Sequence, residues 1–193
     1  GNPGFWHDSP GNLKPNAAHY TNLLKLAYKA AHDAAPDVNV LAGGMTVGET
    51  RSTDGYIDPR DFLKQMYAAG AKGHFDILSH HPYGITSREF KSNGWALMNG
   101  DVVAPPAGEK TLKQIMQAHG DGGKPIWATE VGLEAMYQGM GETQQATVIK
   151  TLLEQHAKTG EGPMFLYQAQ NDRAPYVPGI VSRDADGDGK LDV

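Results

Sequence analysis

Four times along the chain, a stretch with apolar side chains at three- and four-residue spacing is followed by a short apolar run. The first pattern predicts a helix and the second a strand that can be buried on both faces. Their repetition points to an α/β fold in which helices cross between parallel strands. The first helix is predicted over Asn16 to Ala35, with Tyr20, Leu23, Leu24, Ala27, Ala31 and Ala34 on its apolar face, Asn16 as its N-cap and Pro36 as its stop. Val38 to Ala42 follows as a strand that Gly43-Gly44 ends. Asp58-Pro59 opens a second helix carrying Phe62, Leu63, Met66 and Tyr67, and Gly70 stops it. Phe75 to Ser79 is the second strand and runs directly into His80-His81-Pro82-Tyr83. The long segment from there to Gly108 is rich in Gly, Pro and Asn, and loops of that length in compact domains are functional or mobile. Leu112, Ile115, Met116 and His119 space a third helix, and Lys124 to Gly132 holds the third strand. Glu142 to Thr159, with Ala146, Ile149, Leu152 and Leu153, is the fourth helix, and Gly162 to Tyr167 the fourth strand.

With 193 residues and 39% hydrophobic content, the chain has the size of one globular domain with a real core. Its formal charge of −5 and its lack of Lys/Arg clusters argue against nucleic acid, which needs a concentrated basic face. Cysteine is absent, so disulfides and thiolate metal sites are ruled out. No apolar run approaches the length of a bilayer span, and no membrane partner is expected. Gly1 to Trp6 has neither the basic start nor the apolar stretch of a signal peptide. A chain opening on Gly-Asn-Pro without Met is expected to come from inside a longer polypeptide.

Two architectures compete for this order of elements. A small doubly wound sheet predicts a glycine-rich phosphate turn after an early strand, and neither G-x-G-x-x-G nor a P-loop occurs. A (β/α)8 barrel predicts polar side chains at the C-terminal ends of several strands, where His80, His81, Tyr83 and Glu130 stand.

Five segments carry a resemblance: Asn2-Pro3-Gly4-Phe5-Trp6, Tyr20-Thr21-Asn22-Leu23-Leu24, Val40-Leu41-Ala42-Gly43-Gly44, Phe75 through Tyr83, and Ile126-Trp127-Ala128-Thr129-Glu130-Val131-Gly132. In their order and spacing they resemble the clan A glycoside hydrolases, above all the family 39-like branch and the bacterial cellulase-like proteins near it. The resemblance implies a TIM barrel in which this chain supplies strands five to eight and their helices, residues 1–193 being the C-terminal part of one catalytic barrel. It implies a retaining glycosidase acting on a polysaccharide or glycoside, extracellular or periplasmic, that needs no cofactor for catalysis. Glu130, closing strand seven, takes the place of the family's nucleophile.

The family's acid/base Glu belongs to an Asn-Glu-Pro tripeptide, which this chain lacks. It is expected just upstream of Gly1. If Gly1-Asn2-Pro3 is instead a degenerate version of that motif, the chain is a catalytically inactive carbohydrate-binding or structural module. A complete barrel takes about 250 residues, so a missing N-terminal half, in the same polypeptide or a companion chain, is an expected partner beside the carbohydrate.

Retaining glycosidases place two carboxyl groups about 5 to 5.5 Å apart, one to attack the anomeric carbon and one to protonate the leaving oxygen. His81 and Tyr83 resemble the pair that orients the nucleophile or contacts sugar hydroxyls, since an imidazole and a phenol both hydrogen-bond a carboxylate. Trp6 and Trp95 are candidate platforms for a pyranose face, Asp172 a candidate cleft residue, and Trp127 a core residue. A metal-dependent hydrolase built on His80, His81 and Glu130 is disfavoured, because adjacent residues of a strand point to opposite sides. Residues 184–192 admit two readings. Asp184, Asp186, Asp188, Lys190 and Asp192 have the spacing of a calcium loop, with a glycine for its turn. The twelfth ligand of an EF-hand would fall beyond Val193, and a terminal hairpin like that of the family is the alternative.

Overall fold

The computed structural model describes residues 14–46, 57–82, 108–132, 142–158 and 161–167. Its elements are α1 (Ala17–Ala34), β1 (Leu41–Thr46), α2 (Pro59–Ala68), β2 (Ile77–His81), α3 (Leu112–Ala118), β3 (Ile126–Val131), α4 (Glu142–Ala157) and β4 (Met164–Leu166). The four strands form one sheet in the order β1-β2-β3-β4, and every neighbouring pair is parallel. The fold is therefore α/β with a parallel sheet, and the order contains no reversal. Ala17 and Leu24 of α1, Leu63 and Met66 of α2, Ile115 and Met116 of α3, and Val148 and Leu152 of α4 join Ala42, Leu78, Ile126 and Ala128 in a single core. Right-handed crossovers that keep advancing across a sheet stack their helices on one face in this way.

Local chemistry sets the helix starts. Asn16 caps α1 by accepting from the backbone N–H groups of Ala18 and His19. Asp58 caps α2 ahead of a proline at its first turn. At α3, Thr111 and Gln114 form a reciprocal capping box, each side chain accepting the other's backbone N–H. The chain leaves α2 and α3 through Gly70 and Gly120, both at positive φ, where a side chain would be strained.

The buried helix faces keep Leu24 and Leu152 of the predicted ones, with Tyr20 and Ile149 packed against the core, but their centres are shifted. On α1 the buried stripe is Ala17, Thr21 and Leu24, and Leu23 is exposed. On α4 it is Gln145, Val148, Leu152 and His156, with Leu153 turned outward. Local backbone satisfies two of the polar residues in these stripes: the Thr21 hydroxyl donates to the Ala17 carbonyl, and His156 Nε2 donates to the Gly162 carbonyl. Apolar periodicity alone places each face about one residue off.

The strands also begin and end differently. β1 does not stop at Ala42 but runs through Gly43 and Gly44 to Thr46, and β2 extends to His81. Between β1 and β2 the register runs Ala42↔Leu78 and then Met45↔His80, three residues against two. Between β3 and β4 it runs Ala128↔Met164 and then Val131↔Leu166, again three against two. Each interval is a bulge, one in β1 at Gly43-Gly44 and one in β3 at Thr129-Glu130.

Carboxylates and lysines tie the N-terminal ends of the strands together. Glu161 accepts from the Ile126 backbone N–H and pairs with Lys113 at 2.8 Å. Lys124 donates to the Phe75 carbonyl, pairs with Asp121 and lies over the Phe75 ring. Asp121 in turn accepts from the Tyr67 hydroxyl at 3.0 Å. Burial and the Asp121 charge together push the Tyr67 phenol well above its usual range.

Candidate functional site

The bulge in β3 determines where Glu130 points. Ala128 and Val131 are both fully buried in the helix-side core although they lie three residues apart, so Thr129 and Glu130 together turn to the other face of the sheet. Regular alternation in β2 does the rest. Leu78 and His80 lie on the helix side, which leaves Ser79 and His81 beside Thr129 and Glu130.

The side chains meet in two layers. In the upper layer, at the C-terminal ends of β2 and β3, His81 Nδ1 lies 2.8 Å from Glu130 Oε2, and the two side chains are 24% and 27% exposed. In the lower layer the hydroxyls of Ser79 and Thr129 form a short hydrogen bond. A polar pair thus lies beneath a His–Glu contact whose two side chains are both partly exposed. Burial pulls the His81 imidazole below its ordinary value, and the Glu130 charge opposes that pull without cancelling it. The neutral ring then donates its Nδ1 proton to the carboxylate.

The adjacent His80 has a different role. It is fully buried on the helix side and donates from Nδ1 to the Met45 carbonyl at 2.6 Å. The two histidines therefore point to opposite faces. Among the described residues, no group of three or more His, Asp or Glu side chains could hold a metal ion.

Trp127 is half-buried rather than fully enclosed. Its ring lies 6.2 Å from Phe165 of β4 and closely overlies Gly162. Tyr83, Trp6, Trp95 and Asp172 lie outside the described residues, as do Asp184, Asp186, Asp188, Lys190 and Asp192 of the calcium-like loop. Of the expected site residues, the structure brings together His81 and Glu130.

Sequence reasoning did not single out Ser79, Thr129 or Gly44 as members of this site. A Cβ built on Gly44 would lie 2.1 Å from His81 Nε2, so the glycine and the imidazole share one space. The available signal was a glycine pair inside a run that continues as a strand, which marks a bulge or a close approach. The described helices include none long and apolar enough to cross a membrane. Compared with known proteins, the chain matches no family model, no curated protein and no solved structure.

Proposed function

We propose that this chain supplies strands five to eight of a (β/α)8 barrel, and Glu130 as the nucleophile, of a retaining glycoside hydrolase acting on a polysaccharide or glycoside outside the cytoplasm. The observation that carries the reading is the 2.8 Å pair of His81 Nδ1 and Glu130 Oε2 at the C-terminal ends of adjacent parallel strands. Barrel enzymes assemble their chemistry at that end of the sheet, from residues on different strands. An unreversed strand order with all four helices contributing to one core is also what a barrel segment requires.

In the proposed double displacement, Glu130 attacks the anomeric carbon through one oxygen while His81 holds the other by donating its Nδ1 proton. The glycosidic bond breaks, and the leaving oxygen takes a proton from the acid/base carboxyl, which the resemblance assigns to an Asn-Glu-Pro segment preceding Gly1. Water, deprotonated by that same carboxylate, then releases the sugar from Glu130. Ser79 and Thr129 fix the floor beneath the pair. Tyr83, Trp6, Trp95 and Asp172 are the proposed sugar contacts.

The test is turnover of aryl glycosides and polysaccharides by a polypeptide that includes the upstream half, with Glu130→Gln alongside. The variant is expected to lose at least about 10³-fold in turnover, or about 4 kcal/mol of barrier at 1.36 kcal/mol per factor of ten. With Glu130→Ala, added azide is expected to restore cleavage and give a glycosyl azide of inverted configuration. Undiminished turnover in Glu130→Gln would remove Glu130 as the nucleophile. A parent protein that binds sugars but turns none over would favour the inactive binding module.

A further inference from the structure

We propose that Gly44 is a positioning residue: the space left by its missing side chain is the seat of the His81 ring, and that seat fixes which ring nitrogen faces Glu130. An ideal Cβ on Gly44 would lie 2.1 Å from His81 Nε2, 2.6 Å from Cε1 and 2.7 Å from Cδ2. Three of the five ring atoms therefore occupy the volume that any other residue would fill. The remaining nitrogen, Nδ1, faces Glu130 Oε2 at 2.8 Å. The imidazole is held between a strand backbone on one side and a carboxylate on the other.

Gly44 is not among the glycines at positive φ, so its lack of a side chain provides space and not an unusual backbone angle. The bulge in β1 is what brings it there. Ala42 and Met45 both face the core three residues apart, and Gly44 falls in the extra interval, beside β2. A half-turn of the ring about Cβ–Cγ would exchange Nδ1 with Cδ2 and present a carbon to Glu130. The seat and the carboxylate together select the single orientation in which a nitrogen reaches the oxygen. With its Nε2 edge against Gly44, His81 is a fixed donor that orients Glu130, and a proton shuttle is not its role. The inference concerns this pair of side chains and stands whether or not Glu130 breaks glycosidic bonds.

The experiment follows the histidine signals of the full chain by NMR through a pH titration in four forms: parent, Gly44→Ala, His81→Ala and the double variant. His81→Ala identifies the signal. In the parent, His81 is expected to titrate below 6.5. In Gly44→Ala its midpoint is expected to rise toward about 6.5, the free imidazole value, because the displaced ring returns to water. The nitrogen shifts are also expected to lose the single Nδ1–H tautomer. Thermal unfolding adds a second readout: Gly44→Ala is expected to lower the midpoint by several degrees in the parent and to have little effect in the His81→Ala background, as coupled neighbours do. An unchanged His81 midpoint, or an equal thermal loss in both backgrounds, would overturn the proposal. Should Gly44→Ala alone fail to fold, folding of the double variant supports the seat and failure of both overturns it. No substrate enters these measurements, so their failure is distinguishable from failure of the glycosidase reading.

Discussion

Two opposing influences act on the His81 imidazole. Burial favours its neutral form and Glu130 favours its charged form, with burial the larger effect. The folded value therefore lies below the unfolded one, so the unfolded chain binds the proton first as pH falls. The stability that His81 contributes is complete above about 6.5 and declines below it, until the folded form also takes the proton. Urea unfolding of the parent and of His81→Asn between pH 7.5 and 5.5 checks the sign: the parent's advantage should shrink toward the acid end. A difference that does not vary with pH would contradict the burial argument. The hydroxyl pair beneath invites a second measurement. Thr129→Val leaves the buried Ser79 hydroxyl without its partner, and the expected loss is about 1–3 kcal/mol in denaturant unfolding. Ser79→Ala combined with Thr129→Val should cost less than the sum of the singles, since neither polar group is then stranded. His81 and Glu130 were legible because strand-end position and residue type are both written in sequence. Ser79, Thr129 and Gly44 were not, because their partners are set by the register between strands.

Helix starts were the most legible elements, because a cap is a contact between residues two or three apart. Asn16 and the Asp58-Pro59 pair stood at the expected places. The box at Thr111 and Gln114 went unread, although it too is local. Replacing Thr111 by Ala should lower stability by about 0.5–2 kcal/mol, measured from the urea midpoint at constant slope. Strand limits were less legible. Gly43-Gly44 resembles a terminator, yet the ladder continues through it, and only the residues opposite reveal the bulge. The approach of β4 to β3 offers a parallel case at Gly162. Its N–H donates to Ile126, its carbonyl accepts from His156, and a Cβ there would lie 1.9 Å from the Trp127 ring. Gly162→Ala must therefore displace an indole that packs with Phe165, and a loss of about 1–3 kcal/mol is expected. Trp127 fluorescence during unfolding would report both the stability and the changed ring environment.

Across the whole molecule, large apolar side chains are exposed at both margins of the element order. Leu26 is 70% exposed on α1, while Phe165 and Tyr167 are 49% and 41% exposed at β4. Among the described residues β1 and β4 each have a strand neighbour on one side only. Strand edges and apolar patches of this kind drive association. In sedimentation velocity the 193-residue chain should show an average mass that rises with concentration. Supplying the proposed N-terminal half, or introducing Leu26→Glu with Phe165→Glu, should abolish that rise. A constant monomer mass at every concentration would show that these margins need no cover. The unreversed order β1-β2-β3-β4 also bears on how the molecule is made. β2, β3 and β4 each pair with the strand translated just before, so during synthesis each of these three finds its template already outside the ribosome. Assembly of the described strands can then proceed in the direction of translation, adding one helix and one strand at a time.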